Sequence, residues 1–259
     1  MVHHRLLMAA LAALAPLHVA QATQLFSNHG TRNPGEWSSI NEEHNGKVSQ
    51  VSNVAYEGTT ALKMTQTYDS NWDGRYHSEV VMNNAYSKGD TRFYGFAFRL
   101  SETWEFSDEN FNIAQFIADF GYTGCDDYMP TTMVWLHGAR LYTRRKYGSV
   151  CSKPQPIETY DSHVDVTAGV WHKIVMQVKW ASDSTGYIKM WYDGAKVVED
   201  LGVPTTIAED KPFQFRVGLY ANGWHDNNHN MKGTQGFRQV WFDEIAFGTT
   251  FADADPAQW

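Results

Sequence analysis

The chain of 259 residues has only two cysteines, Cys125 and Cys151. Two thiols exclude a disulfide-dense scaffold and a cysteine-built metal cluster, so an apolar core must carry the fold. Past Ala22 no apolar run is long enough to span a bilayer. Basic residues are outnumbered, and the net charge of −8 argues against a nucleic-acid partner and against an anionic membrane surface. There is no His-Glu-x-x-His and no Gly-x-Ser-x-Gly, the patterns of zinc proteases and serine hydrolases. No Asn-x-Ser/Thr acceptor occurs, so N-glycosylation is not expected. Internal repeats, low-complexity stretches and Pro/Ser-rich linkers are also missing, which leaves one domain as the simplest organisation.

The N-terminus is the exception to the shortage of apolar runs. His3, His4 and Arg5 precede an apolar stretch from Leu6 to Ala20, and Ala20-Gln21-Ala22 supplies a small-x-small cleavage pattern. Residues 1–22 are therefore expected to be a signal peptide, and 23–259 a soluble, secreted domain. In an oxidising compartment Cys125 and Cys151 are expected to pair.

Strand alternation recurs through the rest, while helical periodicity is scarce. It is clearest in Thr91–Leu100, in Trp171–Trp180, in Tyr187–Tyr192 before the hairpin signal Asp193-Gly194, and in Phe213–Tyr220. Further strands are expected at Met133–His137, Arg140–Tyr147 and Phe237–Phe247. Many short strands with turns between them imply an all-β, antiparallel β-sandwich, and a jelly roll would offer a concave cleft for an extended polymer. Aromatic residues make up 14% of the chain, a composition suited to stacking on sugar faces and equally to filling strands.

Polar residues inside such strands are the candidates for chemistry. Read as one strand, Gly74–Val80 points Arg75, His77 and Glu79 to the same face. Gln115 interrupts the apolar row Ile113, Gln115, Ile117, so it is either a structural bridge or a substrate-facing donor. On Phe213–Tyr220 the face opposite the core carries Gln214, Arg216, Gly218 and Tyr220. Arg140–Tyr147 holds four basic residues, with Tyr142, Arg144 and Lys146 on one face and Arg145 and Tyr147 on the other, a strip that suits an anionic polymer. Asp243 lies inside the aromatic strand Val240–Ile245, where a buried carboxylate needs a cation or hydrogen-bond donors. No pair of carboxylates stands out in the arrangement that glycoside hydrolysis uses.

These stretches, from Gly74-Arg75-Tyr76-His77-Ser78-Glu79 and Asn112-Ile113-Ala114-Gln115-Phe116 to Val217-Gly218-Leu219-Tyr220 and Trp241–Gly248, resemble the glucuronan lyases of polysaccharide lyase family 20. More broadly they are similar to the concanavalin-like jelly rolls of heparin lyase I type. The resemblance implies β-elimination on a polyuronate, an anionic polysaccharide. Arg75, His77 and Gln115 would offset the substrate carboxylate, and Tyr220 would move protons, alone or as the acid with His77 as base. Tyr142, Arg144, Arg145 and Lys146 would bind substrate, with Glu79 as an anchor orienting Arg75 or His77. A structural Ca²⁺ is implied, with Asp243 the position assigned to it, and a monomer is the expected state. A non-catalytic, lectin-like sandwich and a glycoside hydrolase on the same fold are the competing readings.

Overall fold

The computed structural model describes residues 22–33 and 35–258. The expected signal peptide, apart from Ala22, lies outside the described residues. Two antiparallel sheets face each other across one core. One runs β13 (Ala195–Leu201), β12 (Tyr187–Tyr192), β11 (Trp171–Lys179), β6 (Thr91–Leu100), β15 (Phe237–Gly248), β4 (Ala61–Thr67), β3 (Lys47–Val51), with β1 (Gln24–Asn28) also on β15. The other runs β10 (Ile157–Asp165), β9 (Arg140–Lys146), β8 (Tyr128–His137), β7 (Asn110–Asp119), β14 (Phe213–Tyr220), β5 (His77–Tyr86), β2 (Ser39–Glu42). Neighbours such as β5 and β14 are far apart in sequence, as the crossing connections of a jelly-roll sandwich require.

The alternation explains the layering. Phe96 and Phe98 of β6, Ile174, Met176 and Val178 of β11, and Val240 and Phe242 of β15 are buried from one sheet. Val80, Phe116, Phe213, Phe215, Val217 and Leu219 are buried from the other. Aromatic rings fill the gap: Tyr86 stacks on Trp180 at 3.6 Å, and Phe116 on Phe215 at 5.0 Å. Trp180 donates its ring N–H to the Tyr94 hydroxyl at 3.0 Å, so this buried polar edge is satisfied. The turn joining β12 to β13 has both Asp193 and Gly194 at positive φ, the hairpin geometry expected of Asp-Gly.

The stretch Gly74–Val80 is not one strand. β5 begins at His77, because the Tyr76 ring turns into the aromatic cluster, 5.1 Å from Trp224, with its hydroxyl donating to the Asp69 carbonyl. Arg75 therefore reaches the sheet face from the segment before the strand. The two cysteines are bonded, tying the loop before β8 to the loop after β9.

Candidate active site

The outward face of the sheet centred on β7 and β14 forms a cleft of about 890 Å³. Sheet register assembles its middle. Tyr220 lies directly opposite His77 across β14 and β5, and Arg216 lies opposite Gln115 across β14 and β7. Paired residues on neighbouring strands share a face, so four polar side chains from three strands converge. Gly218 makes the close pairing possible. Its φ is +155°, and a Cβ there would come within 2.2 Å of the Ser78 carbonyl and 2.5 Å of the Glu79 Cα.

At the centre, the His77 and Tyr220 rings stack with centroids 3.8 Å apart. Arg75 donates to the Tyr220 hydroxyl at 2.7 Å, leaving the phenolic O–H to donate elsewhere. Burial raises the Tyr220 pKa, and the opposing charge of Arg75 does not cancel the rise. Tyr220 is accordingly a proton carrier at neutral pH. The His77 ring meets the Glu43 carboxylate through Nδ1 at 2.7 Å.

Beneath this pair Glu79 is fully buried. The Gln115 amide donates to both its oxygens, at 2.8 and 3.0 Å, and Arg216 stands 3.8 Å away. Glu79 is thus an anchor for Gln115 and Arg216. Its side chain is closed off from solvent and is not part of the cleft lining, and it does not hold Arg75, which pairs with Tyr220. Of the two roles open to it in the sequence, Gln115 has the structural bridge, and it also lines the cleft.

Arg144 lines the wall on the β9 side. Its Nη2 donates to the Pro130 carbonyl at 3.2 Å, while its Nε has no hydrogen-bond partner among the described residues. Burial lowers the Arg144 pKa to about 10; burial and then the charge of Arg144 lower that of Lys146 to about 8. Two cations held partly out of water and short of counter-charge would gain from an anionic polymer. Tyr142 stacks on Trp135, at 5.6 Å and 16°, and Trp135 lines the cleft. Arg145 does not belong to this group. It faces the other side of β9, is buried, donates to the Tyr160 hydroxyl at 2.6 Å and the Pro204 carbonyl at 3.2 Å, and pairs with Asp200. Its charge is spent inside the protein.

The profile of the polysaccharide lyase family matches residues 27–246. An endo-β-1,4-glucuronan lyase from the fungus Trichoderma reesei is 54% identical, with a TM-score of 0.87 over 92% of this chain and 100% of that one. The chain belongs to the polysaccharide lyases. Two more distant structures share the lyase's fold: a marine alginate lyase from Aplysia kurodai and the cellulose-induced protein Cip1. Their identities are 10% and 16%, and their TM-scores 0.58 and 0.53, over 87% and 83% of this chain and 99% and 91% of theirs. No curated protein matches the lyase.

Glu43, Trp135 and Asp226 line the lyase's cleft without having stood out as site residues in the sequence, and Arg216, which the sequence put on the polar face of its strand, lines it with them. Glu43 and Asp226 come from a turn and a short helix, where no alternation marks the facing side. Asp243 of the lyase sits on the opposite sheet. Its Oδ2 accepts the N–H groups of Tyr56 and Glu57, at 2.9 and 3.4 Å, and its Oδ1 that of Glu244 at 2.9 Å. Burial raises the pKa of Asp243, and likewise that of the adjacent Glu244 against the pull of His29. Two neighbouring buried carboxylates suit a hard cation chemically. Among the described residues no three His, Cys, Asp or Glu side chains converge.

Proposed function

We propose that this lyase depolymerises β-1,4-linked glucuronan by β-elimination, with His77 removing the C5 proton and Tyr220 protonating the leaving O4. The observation that carries the reading is the stacked His77–Tyr220 pair, with a carboxylate on the imidazole and a guanidinium on the phenol. In a β-1,4-linked glucuronate unit the C5 hydrogen and O4 lie on the same ring face. Two adjacent groups on one sheet face can serve both positions. The arrangement fits: a raised phenol pKa makes Tyr220 the donor, and the ring nitrogen of His77 opposite Glu43 makes no hydrogen bond among the described residues. As the C5–H bond breaks, its electron pair forms the C4=C5 bond and expels O4, which takes the phenolic proton. Gln115, Arg75 and Arg216 stand where donors can offset charge on the substrate carboxylate and its enolate-like form. The name of the Trichoderma enzyme supports glucuronan as the polymer.

Glucuronan, alginate, heparin and pectate should be offered in parallel, following the ultraviolet absorbance of unsaturated product ends. Glucuronan is expected to give the fastest rise. Silence on all four polymers would overturn the lyase chemistry, and a faster rise on another would overturn the choice of substrate.

Calcium is proposed at Asp243 as a structural ion, remote from the cleft and from every step above. Chelation with EDTA should then lower Tm by roughly 5 °C, from a bound-ion stabilisation of about 2–3 kcal/mol. Asp243→Asn should lose that response; an unchanged Tm in the wild type refutes the ion. Secretion and a monomeric state complete the proposal, supported by the N-terminal segment and the cysteine pair for the first. Culture-supernatant assay and sedimentation test them.

A further inference from the structure

We infer that Glu43 is a positioning residue, fixing the His77 imidazole as its Nδ1–H tautomer and so leaving Nε2 to take the substrate's proton. This rests on the β-elimination proposed above and adds a component to it. A neutral imidazole has one donor and one acceptor nitrogen, and the partner of one decides the state of the other. A carboxylate only accepts, so the 2.7 Å contact to Glu43 Oε2 places the proton on Nδ1. Nε2 makes no hydrogen bond among the described residues; Glu79 Oε2 stands 3.9 Å from it.

The groups facing the ring come from three further elements. They are Glu79 from β5, balanced by Arg216; Tyr220 from β14; and Arg75, held on the phenol. Among the described residues only Glu43 meets the ring by a direct hydrogen bond. Burial on its own would raise the Glu43 carboxyl, yet His77 and Arg75 hold it below the ordinary range, which keeps it an acceptor.

The turn bearing Glu43 is built to hold still. The Glu43 N–H donates to the His77 carbonyl at 3.0 Å, and Gly46 N–H closes the turn on the Glu43 carbonyl at 2.8 Å. Gln66 bridges both carbonyls, at 2.8 Å to His77 and 3.3 Å to Glu43. His44 stacks on Trp72 at 4.6 Å and pairs with Asp69 at 3.0 Å. At Gly46 a Cβ would meet Gln66 Nε2 at 2.2 Å and the His77 carbonyl at 2.6 Å, so the turn is pressed against β5 with no room for a side chain. The Glu43 side chain itself is 43% exposed and can be truncated without opening the core.

The test compares wild type with Glu43→Ala and Glu43→Asp. Nitrogen-15 NMR of labelled histidine, in substrate-free protein, should show His77 as Nδ1–H in wild type and shifted toward Nε2–H in the Ala variant. On the polyuronate that wild type cleaves, Glu43→Ala should lose about a hundredfold in kcat, within what a general base contributes, with KM changed less than about twofold. Glu43→Asp should recover part of the rate and the tautomer. An unmoved tautomer in the Ala variant, an unchanged kcat, or a loss confined to KM would each overturn the inference. A wild type inactive on every polyuronate defeats the lyase mechanism instead, and the NMR comparison still judges what Glu43 does to the ring.

Discussion

Replacing Tyr220 with Phe is expected to lower kcat by about 10²- to 10⁴-fold, the range for a positioned proton donor, with KM close to wild type. The substitution removes one oxygen and leaves the ring stacked on His77, so a collapse of the cleft is not the cause of the loss. Arg75 would lose its 2.7 Å partner but is exposed to water. The pH profile separates acid from base. Burial holds the phenol above its ordinary value of 10.0, so it remains protonated throughout neutral and mildly alkaline pH. If Tyr220 were the base, acting as phenolate, kcat/KM would climb about tenfold per pH unit below that pKa. As the acid it should give no such climb. A rate still rising steeply between roughly pH 8 and 10 would transfer the base from His77 to Tyr220.

Glu79→Gln should cost stability before it costs binding. Breaking a buried ion pair by removing one partner typically costs about 3–5 kcal/mol, and the isosteric amide keeps some hydrogen bonding, so roughly 3 kcal/mol is expected. For a chain of this size that is a fall in Tm of about 10 °C. The reason is local: Arg216 and the Gln115 amide both lean on this carboxylate inside the protein. Activity should fall too, because Gln115 loses its orientation. A variant with wild-type stability in urea and only a raised KM would overturn the anchor role and make Glu79 a substrate contact.

Much of the fold was legible because aromatic and branched residues alternate without interruption in β6, β12 and β14, whose limits agree with the pattern. Asp193-Gly194 marked its turn through the same local chemistry. The centre of the site was legible for a related reason. Gln115 broke an apolar row, and His77 and Tyr220 stood on polar faces of aromatic-rich strands; both signs are visible without knowing the partner strand. What stayed hidden depends on contacts between distant segments. Glu43 reaches His77 from 34 residues away, and nothing in Asn41-Glu42-Glu43-His44 distinguishes it from a solvated acidic turn. Arg145 failed as a substrate contact although alternation had put it on the face away from Arg144. The density of positive charge outweighed the parity of the strand, and parity was the better guide. Glu79 could be read as an anchor, but its partners could not, since they depend on which strand lies next to which.

The cysteine bridge has a practical consequence for anyone producing the protein. It fastens the segment carrying Asp126, Asp127 and Tyr128, which forms part of the cleft wall, to the loop that leaves the basic strand. The bridge joins loops outside both sheets, with Cys125 packed against the edge of the core. Material made in a reducing cytoplasm would present a cleft whose wall is untethered. Two preparations with the same sequence and the same far-ultraviolet spectrum could then differ in their grip on a long polymer chain.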